Sequence, residues 1–132
     1  MRIGYFVWEY PPRVVSGLGS CAESICQAMI NRGHDVSVFT MNDGTLKTRE
    51  VLNGVDVNRP MLVDGSNILP QVLSMEDPRR SGTGIKFFND VLMYNILSAT
   101  KLVNELIKKE GYEFDIICTH DWLSAMAGIM VK

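Results

Sequence analysis

Arg2–Asp35, RIGYFVWEYPPRVVSGLGSCAESICQAMINRGHD, decides the fold, because it reads in order as strand, loop, helix and tight turn. Ile3–Trp8 is an apolar run of strand length at the start of the chain, as expected of a strand buried on both faces. Pro11 and Pro12 forbid continuation of a ladder. Ser16-Gly17-Leu18-Gly19-Ser20 follows as a glycine-containing loop, with Ser20 the expected N-cap of the helix beyond it. On that helix Ala22, Ile25, Ala28 and Met29 recur at helical spacing and make one apolar face. Gly33 stands where a C′ residue closes a helix, and Val36, Val38 and Phe39 begin a second strand. The stretch is a βαβ unit, and the rest of the chain is laid beside it.

A glycine-containing turn into a helix exposes backbone N–H groups above the sheet, and the helix end adds about half a positive charge. That suits a phosphate or a sugar hydroxyl. The dinucleotide fingerprint is only half present. Gly17 and Gly19 fit its first two positions, but Ala22 takes the third, and Glu9–Ser16 separate the loop from the strand. Thr40-Met41 stands where a ribose-binding acid would end the second strand, so a simple NAD site is disfavoured.

Outward from this unit, Asn42-Asp43-Gly44 is a turn, and Glu50–Val57 alternates around Asn53-Gly54, which predicts a β-hairpin at one edge of the sheet. Arg59–Lys86 is irregular, with Pro60, Pro70, Pro78 and the cluster Glu76-Asp77-Pro78-Arg79-Arg80. Arg79 and Arg80 suit an anionic acceptor, or else pair with acids on a solvated loop. Phe87–Glu110 is a long amphipathic helix whose apolar stripe includes Phe88, Val91, Leu92, Ile96, Ala99, Leu102, Val103, Leu106 and Ile107. Asn95 on that stripe either bonds neighbouring backbone or lines a sugar pocket. Gly111 ends the helix.

Phe114–Thr119 is the next strand, followed by His120-Asp121-Trp122 and a helix over Leu123–Val131. In an open α/β sheet of this order the first strand is flanked by the second on one side and by this strand on the other, and right-handed crossovers then put helices on both faces. The carboxyl ends of the first strand and of Phe114–Thr119 then meet at a topological switch point, where open α/β sheets bind ligands. Gly17-Leu18-Gly19 and His120-Asp121-Trp122 land on that one rim. His120 donates or accepts a hydrogen bond near neutral pH. Asp121 either orients the imidazole or caps the following helix, and Trp122 either packs under the site or stacks on a sugar face. Glu9 and Tyr10, at the end of the first strand, are further ligand candidates, although Glu9 also suits loop backbone. No nucleophile–base pair and no metal-ligand cluster stands out.

The 132 residues suit one domain, and 46% hydrophobic with 21% charged residues is an ordinary globular composition. A formal charge of −2 gives no electrostatic case for nucleic acid or an anionic membrane. Cys21, Cys26 and Cys118 lack metal spacing and are odd in number, which predicts buried reduced thiols in a cytoplasmic protein. No signal peptide and no membrane-length apolar run is present. The last helix runs to Lys132 without a cap or a following strand, which suits an incomplete domain or else a complete small domain with a short final helix, and an unfinished sheet edge could promote self-association.

YPPRVVSGLG, the helix after it and NRGHDVSVFT, together with the later H-D-W, resemble the amino-terminal domain of retaining GT-B glycosyltransferases, and glycogen and starch synthases in particular. Arg32-Gly33-His34-Asp35-Val36 matches the R-G-H-x-V helix ending of that family, while Ser16 replaces the first glycine of its G-G-L-G-like loop. Val14 stands where bacterial-type glycogen synthases carry a Lys, with Arg13 beside it as the basic candidate. The resemblance implies an α/β fold, a Rossmann-like three-layer parallel sheet with the added hairpin, truncated within a GT-B amino-terminal domain over residues 1–132. It implies transfer of glucose from ADP- or UDP-glucose to a glucan with retention, no further cofactor, and His120 reaching the donor sugar. Gly17, Leu18, Gly19, Asp121, Trp122, Glu9, Tyr10 and Arg13 then contact substrate. The carboxyl-terminal domain that makes most donor contacts lies outside this chain, which alone is expected to be inactive. Alternatives are a mannosyl- or sucrose-type transferase, or a non-catalytic nucleotide-binding Rossmann module.

Overall fold

β1 (Arg2–Phe6) sits inside the sheet, paired in parallel with β2 (Asp35–Phe39) on one side and β5 (Ile116–Thr119) on the other. The computed structural model describes residues 1–62 and 78–132, without the side chains of residues 78–83 and 85. The remaining elements are α1 (Gly17–Asn31), β3 (Arg49–Leu52), β4 (Val55–Asn58), α2 (Pro78–Thr100) and α3 (Trp122–Met130). α2 continues into a π-helical stretch, Lys101–Ile107, where Lys108 N–H reaches back to Val103. The sheet order is β3-β4-β2-β1-β5. Every pairing is parallel except β3 with β4, the expected hairpin. Its turn has Asn53 and Gly54 at φ 49° and 85°, as an Asn-Gly hairpin turn requires.

The sheet is covered on both faces, which explains the unbroken apolar run of β1. Tyr5 and Val7 point to the α1 side, where they pack with Ala22, Cys26, Val36, Val38, Val55 and Val57. Phe6 points the other way, stacked on Phe39 at 4.8 Å between centroids and packed with Ala99, Leu102, Leu106 and Ala127 of the α2–α3 layer. Each of the buried Val, Leu and Phe side chains contributes about 1.5–3 kcal/mol on leaving water. The three-layer α/β architecture is the one the βαβ reading implies.

Several local expectations are corrected. The N-cap of α1 is Ser16, not Ser20: its hydroxyl accepts from Leu18 N–H, so Gly17-Leu18-Gly19 is the first helical turn rather than a loop before it. α2 begins at Pro78, so Pro78–Lys86, read as irregular, is helical, with proline at the position where its missing N–H costs nothing. Residues 63–77, including Pro70, Glu76 and Asp77, lie outside the described residues, as do the side chains of Arg79 and Arg80. Phe88 is exposed rather than part of the apolar stripe, and Cys21 is exposed while only Cys26 is fully buried.

Asn95 is resolved in favour of backbone. It is buried; its Nδ2 donates to Val91 and Leu123 carbonyls at 2.7 Å each, and its Oδ1 accepts from Ala127 N–H at 2.7 Å. The amide thereby brackets one turn of α3 and fixes that helix against α2. Asn95→Leu is expected to lower the unfolding free energy by about 2 kcal/mol, because buried backbone groups lose their partner. A denaturation midpoint equal to that of the unchanged protein would show that α3 reseats without it.

Candidate functional site

Parallel pairing sets the geometry of the rim. Tyr5 is in register with Cys118, and His120 lies two residues further along, so Tyr5 and His120 share the sheet face that α1 covers. Tyr5 is buried at its ring, and its Oη lies 2.7 Å from His120 Nδ1. His120 is otherwise held by backbone. Its N–H donates to Phe6 O at 2.9 Å, prolonging the β1–β5 ladder, and its carbonyl accepts from Ser124 Oγ at 2.8 Å. Among the described residues, Nε2 is the one polar atom of His120 without a protein partner. Burial, and then the nearby thiols of Cys26, Cys21 and Cys118, push the Tyr5 phenol up to about 12, so it keeps its proton at neutral pH.

Asp121 caps α3 rather than orienting the imidazole: its Oδ1 accepts from Leu123 N–H at 2.6 Å. Its backbone, at φ 69° and ψ −179°, occupies a region that is essentially reserved for glycine and costs about 1–3 kcal/mol. That strain lies between the imidazole and Trp122, a residue 67% exposed that is not packed beneath the site.

The other half of the rim is the start of α1. Gly17 is exposed, with open space where a Cβ would stand, whereas Gly19 is buried and a Cβ there would press on Val14 and Glu9 at 3.1–3.2 Å. Gly17 therefore permits close approach by a ligand, and Gly19 permits close packing of the loop. Glu9 accepts from the N–H groups of Val15 and Ser16 at 3.1 and 2.8 Å and from the Ser16 hydroxyl at 3.0 Å. Partial burial opposes its ionisation, but these donors, with Arg13 nearby, outweigh burial and hold the carboxyl below the usual glutamate range. A carboxylate thus already satisfies the amides ahead of the helix and offsets the charge of the helix end. Because the folded-state pKa is depressed, the order that Glu9 gives this loop is complete above the ordinary glutamate pKa of about 4.3 and is lost as pH falls through the lower folded value. Hydrogen exchange at Val15 and Ser16 amides, corrected for its intrinsic pH dependence, should lose protection over that acid range, and Glu9→Gln should abolish the dependence.

Arg13 and Tyr10 lie elsewhere. Arg13 Nη1 rests on Met41 Sδ at 3.1 Å, its Nε is 3.9 Å from Asp43, and it lines a cavity of about 630 Å³ with Asn42, Asp43, Lys86, Asn89 and Asp90. Tyr10 is buried in the α1-side core and borders a smaller cavity of about 310 Å³. The structure therefore brings His120, Asp121 and Trp122 to the carboxyl end of β5 and Glu9, Gly17, Leu18 and Gly19 to that of β1, but places Arg13 on the β2 side and turns Tyr10 inward. Sequence reading missed Tyr5, Asn42 and Asn89. The available signal for Tyr5 was a hydroxyl in an otherwise apolar strand, which must find a partner when buried.

The starch synthase catalytic domain family matches residues 2–132, almost the whole chain. The chain belongs to that family. It is thus a glycogen/starch synthase-like glycosyltransferase domain, and its mostly parallel five-stranded α/β sheet is consistent with the Rossmann-like amino-terminal part of a GT-B fold. An uncharacterized glycosyltransferase of Methanocaldococcus jannaschii is 27% identical over 132 residues, which is all of this chain and 28% of the relative. A glycogen synthase of Mycobacterium tuberculosis is 28% identical over 141 residues, covering 98% of this chain and 30% of the relative. The starch synthase-type chain therefore spans less than a third of the curated relatives it matches. Among the described residues, no helix is long and apolar enough to cross a membrane.

Proposed function

We propose that the protein carrying this chain transfers glucose from a nucleoside diphosphate glucose to a glucan, with retention at the anomeric carbon. The observation that carries this reading is the Nε2 of His120, which has no partner among the described residues, on a residue held by three other contacts at the carboxyl rim of β1 and β5. A ring fixed in this way offers one directed hydrogen bond to a sugar hydroxyl or to charge developing as the glycosidic phosphate departs. Gly17 lets the same sugar approach backbone closely. With Glu9 in place the loop suits a hydroxyl better than a phosphate, so the diphosphate is assigned to a second domain, and residues 1–132 supply half of the cleft. We assign the glucan to the cavity beside Arg13, whose amides and mixed charges suit a neutral polyol. ADP- or UDP-glucose is the substrate, no other cofactor is needed, and a cytoplasmic location fits a sugar-nucleotide donor.

The test is incubation of the full-length protein with ADP-glucose or UDP-glucose and a maltooligosaccharide. Elongation with α-linked glucose supports the reading. Hydride transfer with NAD, or nucleotide binding without transfer, overturns it.

A further inference from the structure

We infer that Tyr5 is a positioning residue that fixes His120 in the form carrying its proton on Nε2. The inference rests on the role proposed above for His120 and adds the group that sets its polarity.

The argument is one of hydrogen-bond inventory. The Tyr5 Oη–His120 Nδ1 contact at 2.7 Å holds one hydrogen, which comes either from the phenol or from Nδ1. Tyr5 is 4% exposed, and among the described residues its hydroxyl has no other acceptor. If Nδ1–H donated, the phenol hydrogen would be left without a hydrogen-bond partner among the described residues, on a side chain buried in the α1-side core beside the weakly accepting thiols of Cys26, Cys21 and Cys118. If the phenol donates, both groups are satisfied. A neutral imidazole that accepts at Nδ1 carries its hydrogen at Nε2. His120 then meets its ligand as a donor without needing a positive charge. Asp121, the nearest carboxylate in sequence, makes no hydrogen bond to the ring among the described contacts; its Oδ1 accepts from Leu123 N–H. The β1–β5 register makes the contact possible, since Tyr5 lies opposite Cys118 and reaches one same-face step along to His120.

The experiment is long-range proton–nitrogen correlation of the full-length protein labelled in its histidine rings, at a pH of about 8, above the range in which histidines ordinarily titrate. The His120 signals are assigned by their loss in His120→Asn. The expected pattern is a pyridine-type Nδ1 displaced by an accepted hydrogen bond and a pyrrole-type Nε2. Tyr5→Phe, which keeps the ring packing, should remove that displacement. It should also lower kcat and kcat/KM together by roughly 5- to 10-fold, the worth of one neutral hydrogen bond. A pyrrole-type Nδ1 in the unchanged protein, or an Nδ1 signal unmoved in Tyr5→Phe, overturns the inference whatever the transfer rate. Full transfer activity in His120→Asn instead overturns the role of His120, and with it the reading on which the inference rests.

Discussion

His120→Asn is expected to lower kcat for glucose transfer by the full-length protein by about 10²–10³-fold, the usual cost of removing one preorganised donor from a reacting centre. The fold should survive, because the contacts anchoring residue 120 through its backbone, from its N–H to Phe6 O and from Ser124 Oγ to its carbonyl, do not need the imidazole. The stability loss should be about 1–2 kcal/mol, since the buried Tyr5 hydroxyl loses its acceptor. Initial rates at saturating donor and acceptor, with a denaturation curve on the same preparation, separate the two effects. A variant of near-normal rate would exclude His120 from the reaction.

Arg59→Met is expected to have the largest effect on stability, about 3 kcal/mol or more. The Arg59 side chain has no exposed surface. Its Nη1 donates to Glu50 Oε1 at 2.6 Å and its Nη2 to Pro11 O at 2.7 Å. Its backbone N–H donates to Thr48 O, and its carbonyl accepts from Asn42 Nδ2 at 3.1 Å. This one residue therefore ties the hairpin, the β2 turn and the proline loop together, and the proline loop leads to Ser16 and the start of α1. Methionine fills the aliphatic volume but leaves the Pro11 carbonyl and the half-buried Glu50 carboxylate without their donor. Chemical denaturation measures the loss. Because the two side chains form one unit, Arg59→Met combined with Glu50→Leu should cost less than the sum of the single changes. A loss below about 1 kcal/mol for Arg59→Met would mean that water replaces the guanidinium at little cost.

What the sequence disclosed was whatever depends on neighbours along the chain. The Asn53-Gly54 turn, the left-handed Gly33 and Gly111 that end helices, and the two-sided burial of β1 follow from local pattern and from the φ values that only certain residues accept. The convergence of β1 and β5 was legible as well, because crossover handedness leaves few topologies. What stayed hidden depends on partners distant in sequence. Ser16 rather than Ser20 caps α1 because Glu9 holds the Ser16 N–H and hydroxyl in place. Arg59 is buried where the Pro11 carbonyl, 48 positions earlier, accepts a hydrogen bond from its guanidinium. Tyr5 finds His120 across 115 positions, and no periodicity reports that. Asp121 has a strained backbone that nothing in H-D-W announces. One local signal was available and unread: proline at the first position of α2 marks a helix start.

The most direct measurement is the response of the His120 ring signals of the full-length protein to added ligand. ADP-glucose or UDP-glucose should shift Nε2 and its proton, with NAD as a control that leaves them in place. A response to NAD alone, or none to either glucosyl nucleotide at concentrations that support transfer, would contradict the placement of the donor sugar at this rim.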